Sequence, residues 1–234
     1  MLPFSRMLEY GNAANILPAP LVYLPLRADI ANHGDTTNPK FTQANFTYTS
    51  GTIGTVGGKQ ALVCNGAQRL YYDEIVYANS SWTAMNWVYT TSTAAKAYIN
   101  ASGNIGFSYN TGGSPSLVRN FYCVNTASTT NSYFGQYSMP VNTWVHAVYS
   151  YDRSTNTLRF YADGVLIKTQ SVSPTFTGYG TGTTTARSVG LGYYPSNPTA
   201  TPLAGGIAGH RMYDYLLDNA TIAKIYTHEL SGEV

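Results

Sequence analysis

Charge is what this chain has least of. Only 10% of its 234 residues are Asp, Glu, Lys or Arg, and the formal net charge is +2. That leaves no electrostatic footprint for nucleic acid or an anionic membrane surface, so neither is expected as a partner. Two cysteines, Cys64 and Cys123, permit one disulfide at most and exclude a disulfide framework. Cys64 falls in the alternating run Ala61-Leu62-Val63-Cys64 and reads as a small buried hydrophobe. No apolar run approaches the roughly 18 residues of a transmembrane helix. The first twenty residues hold no continuous apolar stretch of the secretory type. No Gly-x-Ser-x-Gly is present to set up a nucleophile elbow.

What is abundant is Thr, Ser, Asn, Gly and Tyr, with 21 tyrosines and 22 glycines. Thr, Tyr and Val favour pleated structure, and Gly and Asn favour turns, so the composition leans all-β. The clearest passage is Asn142 to Thr169. Trp144, His146 and Val148 alternate with Val145, Ala147 and Tyr149, the period of two of a strand. Arg153-Ser154-Thr155-Asn156 interrupts, Leu158 to Tyr161 resumes, and Asp163-Gly164 supplies the positive-φ pair of a two-residue hairpin turn before Val165 to Thr169 returns. Further strand signals recur at Leu21–Leu26, Ala61–Cys64, Leu70–Tyr72, Trp82–Thr91, Ala97–Asn100, Ile105–Tyr109, Phe121–Val124, Tyr133–Tyr137, Ser188–Tyr193 and Gly206–Tyr213. Many short strands at near-regular spacing predict a sandwich or barrel, not βαβ units. His33 to Gly58 reads as a long polar excursion. One helix of about ten residues is expected near the end, with Asp218 as N-cap, Ile222, Ile225 and Tyr226 on one face, and Leu217 and Ile222 at hydrophobic-staple spacing.

These motifs together resemble the laminin-G-like branch of the concanavalin A-like lectin/glucanase superfamily. Ala61–Gly66 (ALVCNG), Trp82-Thr83 to Trp87-Val88, Asn142–Ala147 (NTWVHA), Leu158–Gly164 (LRFYADG) and Gly206–Leu216 with the helix to Tyr226 follow the family's order. The resemblance implies an all-β fold: a jelly-roll sandwich of two antiparallel sheets over residues 21–234, with one short C-terminal helix. Residues 1–20 read as an N-terminal arm or tether, with a short element packed back on the domain as the alternative. Phe4, Leu8, Tyr10, Ile16 and Leu17 are its anchor candidates.

Hydrolases of this superfamily carry Glu-x-Asp-x-(x)-Glu on one strand, since glycoside cleavage with retention needs two carboxylates roughly 5–5.5 Å apart. With 11 acidic residues and none at that spacing, no catalytic residue is assigned and no enzyme activity is expected. His146 shares a strand face with Trp144 and reads as a hydrogen-bonded core histidine rather than a base. Relatives often hold one calcium ion between an early Asp/Asn loop and a late Asp. Asp29, Asn32 and Asp35 could supply oxygens, but Ala208 or Gly209 occupies the late position, so calcium is disfavoured and neither metal nor cofactor is expected.

For glycan binding, exposed aromatics beside amide or carboxylate partners are the equipment to seek. Tyr193, Tyr194 and Asn197 form one such cluster, and Tyr72 with Asp73 a second. Two functional readings follow. The first is a non-enzymatic bacteriophage virion protein, a capsid decoration or tail component, made in the host cytoplasm and exposed on the particle. It would be fixed to other virion proteins by its arm and form a homo-oligomer. The second is an adhesin or lectin module recognising surface carbohydrate through the loops at 193–202 and 109–116.

Overall fold

The computed structural model describes residues 17–35, 37, 46–65, 69–73, 81–91, 98–101, 105–110, 118–124, 131–134, 137, 140–171, 188–192 and 203–231. They form two antiparallel sheets and one helix. The first sheet runs in the order β13 (Val165–Ser171), β12 (Thr157–Ala162), β11 (Trp144–Asp152), β6 (Trp82–Thr90), β15 (Gly205–Tyr213), β4 (Lys59–Cys64), β3 (Ile53–Val56). A short β1 (Val22–Leu24) also pairs with β15. The second sheet runs β10 (Asn131–Phe134), β9 (Val118–Val124), β8 (Ile105–Asn110), β7 (Tyr98–Ala101), β14 (Ser188–Leu191), β5 (Arg69–Asp73), β2 (Phe46–Ser50).

Strand β6 shows how one sequence serves three environments. Trp82, Ala84 and Val88 belong to the main core with Leu62, Leu70, Tyr72, Tyr149, Leu158 and Phe160. Met85 joins a second cluster with Val148, Tyr161, Tyr213, Leu217, Ile222 and Ile225, and Trp87 a third with Ala61 and Ala208. Every second side chain therefore enters the inter-sheet space while the others meet the helix, as a period of two requires. Each large apolar side chain so buried contributes about 1.5–3 kcal/mol.

The β11–β12–β13 passage folds as read. Asp163 and Gly164 take φ of 49° and 77°, the left-handed pair of the expected turn. Asp163 also pins that turn to β11: its carboxylate accepts from the His146 N–H at 2.9 Å, and its own N–H donates to the His146 carbonyl at 2.9 Å.

The helix α1 spans Asn219–Leu230, two residues longer than expected. Asp218 caps it by accepting from the Thr221 N–H at 2.7 Å, and Leu217 and Ile222 lie in one buried cluster.

Two expectations need correction. The polar excursion holds two strands, β2 and β3, and β3 has no buried position to reveal an alternation. In the N-terminal arm, Leu17 is 3% exposed and packs into the cluster under α1, so it belongs to the core and is not free for docking. Phe4, Leu8, Tyr10 and Ile16 lie outside the described residues.

Candidate functional site

The loop that carries Tyr193, Tyr194 and Asn197 has a well-defined base. Leu191, at the end of β14, and Leu203, just before β15, are both fully buried. Between them the Leu203 N–H donates to the Gly192 carbonyl at 2.8 Å, which brings Gly192 and Leu203, the two ends of the interval, together. Gly192 takes φ of 75°, where a side chain would be strained, which lets the chain leave the strand at once. Compact loops with pinned ends are a common setting for recognition. Tyr193, Tyr194 and Asn197 themselves lie outside the described residues, as does most of the 109–116 loop.

The second expected sugar cluster is corrected at Tyr72. Its ring is 1% exposed and sits in the main core, so no sugar face can stack on it. Its hydroxyl lies 2.7 Å from His210 Nε2, while His210 Nδ1 lies 2.6 Å from Asn86 Oδ1. A carbonyl oxygen only accepts, so Nδ1 carries the proton and Nε2 accepts from the tyrosine. Burial pushes the His210 pKa down to about 3, so the ring is neutral at physiological pH. The network ties the second sheet, through Tyr72, to the first, through Asn86 and His210. The backbone of Asp73 pairs with Ser188 in β5–β14; its side chain is outside the described set.

A second polar cluster, not anticipated from the sequence, lies on the opposite face of the first sheet beneath α1. Glu229, fully buried, accepts from Arg211 Nε at 2.6 Å and from the Trp87 indole N–H at 2.5 Å. Burial raises the Glu229 pKa, but Arg211 and then His146 outweigh it, so the group stays ionised. Arg211 rests over the Tyr23 ring, 3.8 Å from its centroid. Gly209, at φ of 58°, lets β15 bulge around Trp87; a Cβ there would stand 3.1 Å from the indole. A signal was present: Glu229 follows Ile222 and Ile225 on the buried stripe of the helix, where a carboxylate demands a buried cation.

His146 belongs to this cluster. It is a core histidine, as expected, but neither ring nitrogen has a hydrogen-bond partner among the described residues. Nε2 stands 3.7 Å from Glu229 Oε2, and the ring packs beside Trp87 and Tyr226 at centroid distances of 5.2 and 5.9 Å, while those two rings stack on each other at 5.7 Å. Burial lowers its pKa, with Glu229 pulling the other way without reversing the shift.

The early Asp/Asn loop is occupied with itself. Asp29 accepts from the Ala31 N–H and contacts His33, Asn32 accepts from the N–H groups of Tyr23 and Gly34, and Asp35 accepts from Thr37. Among the described residues no three His, Cys, Asp or Glu side chains converge as a metal site. Ala208 and Gly209 lie at the β15 bulge. Cys64 is a free, buried thiol whose pKa burial pushes up, so it is packing rather than chemistry.

The family model described as the concanavalin A-like lectin/glucanases superfamily, of laminin-G type, matches residues 64–223. The chain belongs to this superfamily. Its solved relatives share the fold at low identity. One is domain 4 of AbnA, a GH43 extracellular arabinanase from Geobacillus stearothermophilus, solved in complex with arabinotriose. It is 18% identical with a TM-score of 0.63, over 89% of this chain and 98% of that domain. The binding domain of botulinum neurotoxin DC, solved with rat synaptotagmin II, is 10% identical with a TM-score of 0.63, over 89% of this chain. A type C botulinum neurotoxin structure, described as depending on two ganglioside molecules for cell entry, is 13% identical with a TM-score of 0.61, again over 89%. This lectin-like chain spans about half of each toxin chain, 51% in both cases. No curated protein matches it in sequence.

Proposed function

We propose that this chain is a non-catalytic recognition module that binds carbohydrate through the loop between β14 and β15. The observation that carries this reading is the hydrogen bond from Leu203 back to Gly192 at 2.8 Å, which joins the two ends of the interval whose sequence holds Tyr193-Tyr194-Pro195-Ser196-Asn197. A tyrosine face suits the apolar side of a sugar ring, and a neighbouring amide suits its hydroxyls. Support also comes from an arabinanase domain of matching extent solved with arabinotriose. The non-catalytic reading rests on the sequence, whose 11 acidic residues include no Glu-x-Asp-x-(x)-Glu spacing for glycoside cleavage. On a glycan array, Tyr193→Ala and Tyr194→Ala should each abolish binding that the native chain shows. Unchanged binding by both variants would reject the loop.

A second reading places the same module on a virus particle, as a capsid decoration or tail component held by its N-terminal segment. The burial of Leu17 restricts the tether to residues 1–16 and favours a sharper test than removing the first twenty. Deletion of residues 1–16 should leave the domain folded and abolish its incorporation into particles; retained incorporation would reject the tether.

A further inference from the structure

Glu229, one residue before the end of α1, lies within reach of two partners for the same oxygen. Its Oε1 is anchored by Arg211 Nε at 2.6 Å. Its Oε2 accepts from the Trp87 indole at 2.5 Å and stands 3.7 Å from His146 Nε2. Those two rings sit side by side, since His146 on β11 pairs with Trp87 on β6 and their centroids are 5.2 Å apart. All four residues are at most 2% exposed, so water screens none of these contacts. The 3.7 Å gap indicates where the imidazole proton is. An N–H facing an ionised carboxylate closes to about 2.8 Å, whereas a lone pair is held off. At neutral pH His146 therefore carries its proton on Nδ1 and turns a bare Nε2 toward Glu229.

We propose that His146 and Glu229 form a proton-operated latch: a proton taken up at His146 Nε2 draws Glu229 Oε2 off the Trp87 indole and onto the imidazolium. The movement needed is about 1 Å, with the Arg211 bond to Oε1 as its pivot. A charge-assisted hydrogen bond is roughly twice as strong as one from a neutral donor, which gives the exchange its direction. The end of α1 is thereby tied to β6 at neutral pH and to β11 in acid, inside a chain that stays folded. The surrounding groups set where the latch trips. Burial opposes the proton most, Glu229 favours it, Arg211 on β15 opposes it and Asp163 in the β12–β13 turn favours it. Tyr226 of α1 packs on both rings, and Lys59 of β4 lies 4.9 Å from the Trp87 ring centroid. Burial outweighs the rest, so the exchange falls below the ordinary histidine range. Glu229, itself held below the usual carboxylate range, keeps its charge to receive the proton's bond.

The test is NMR of the uniformly ¹⁵N-labelled full chain from pH 7 to pH 4, with circular dichroism reporting that the fold is kept. At pH 7 the His146 ring nitrogens should show the Nδ1–H tautomer. As they titrate, the Trp87 indole proton should shift upfield with the same midpoint, because it loses its acceptor. His146→Phe keeps an aromatic ring against Trp87 and removes the proton acceptor, so in that variant the indole resonance should hold its position across the range. An indole proton that stays in place while His146 titrates overturns the proposal. So does an equal shift in His146→Phe, an Nε2–H tautomer at pH 7, or a chain that unfolds before His146 takes up its proton.

Discussion

His146 and His210 stand on opposite faces of the same sheet, both fully shielded from water. His210 faces the second sheet with a partner at each ring nitrogen, Asn86 and Tyr72, in a network with no charge in it. His146 faces the helix with no ring hydrogen bond among the described residues, beside a buried Arg211–Glu229 ion pair. The difference shows two ways of burying polarity. Between the sheets, neutral groups satisfy one another and hold two layers in register. Under the helix, an ion pair fixes where α1 lies, and the histidine packs its ring beside the stacked Trp87 and Tyr226.

The most severe way to break the outer arrangement is Glu229→Ala. It leaves the Arg211 guanidinium buried without its counter-ion and the Trp87 N–H without its acceptor. Removing one partner of a buried pair costs about 3–5 kcal/mol. Urea unfolding should show that loss, whereas a cost within about 1 kcal/mol would mean that the pair is solvated in solution.

Acid attacks both faces in the same direction. His210 has a folded pKa of about 3 against an ordinary histidine value of 6.5, and the His146 pKa is likewise lowered. The unfolded chain therefore binds more protons than the folded one below pH 6.5, and stability falls as pH falls. Glu229, held below 4.5, adds to the loss at the acid end of that range. From pH 6.5 to 4, at 1.36 kcal/mol per unit for a fully shifted group, His210 alone accounts for about 3 kcal/mol. Thermal melts across this window should show a steady decline; a flat profile would mean that the rings gain solvent as they titrate.

How much of this was legible beforehand follows from how far apart the partners stand. The β11–β12–β13 meander was readable because alternation and Asp163-Gly164 are local signals, and α1 because Asp218, Leu217 and Ile222 lie within five positions. Strands β2 and β3 were missed because edge strands such as Ile53–Val56 carry no clean buried face. The Tyr72–His210 and Trp87–Glu229 contacts span 138 and 142 positions, and no spacing rule reaches across them. Tyr72 was accordingly misread as a surface aromatic beside Asp73, when its hydroxyl was needed inside.

The inner network is probed by His210→Phe. The ring volume is kept, but the Asn86 oxygen and the Tyr72 hydroxyl lose their partner, at about 1–3 kcal/mol for a stranded buried group. Denaturant midpoints at neutral pH report the loss, and a neutral outcome would show that Tyr72 is content with its 3.5 Å contact to the Met212 sulfur.

The same substitution on the other face should do far less. His146→Phe removes no ring hydrogen bond and keeps the aromatic stack against Trp87 and Tyr226, so the change at neutral pH should stay within about 1 kcal/mol. Its effect belongs in the acid limb instead. Without the His146 ring, one of the two buried histidines that take up a proton on unfolding is gone, and the decline between pH 6.5 and 4 should become shallower while the His210 share remains. A large loss at neutral pH would show that the His146 nitrogens are bonded in solution, and the contrast between the two faces would fail there.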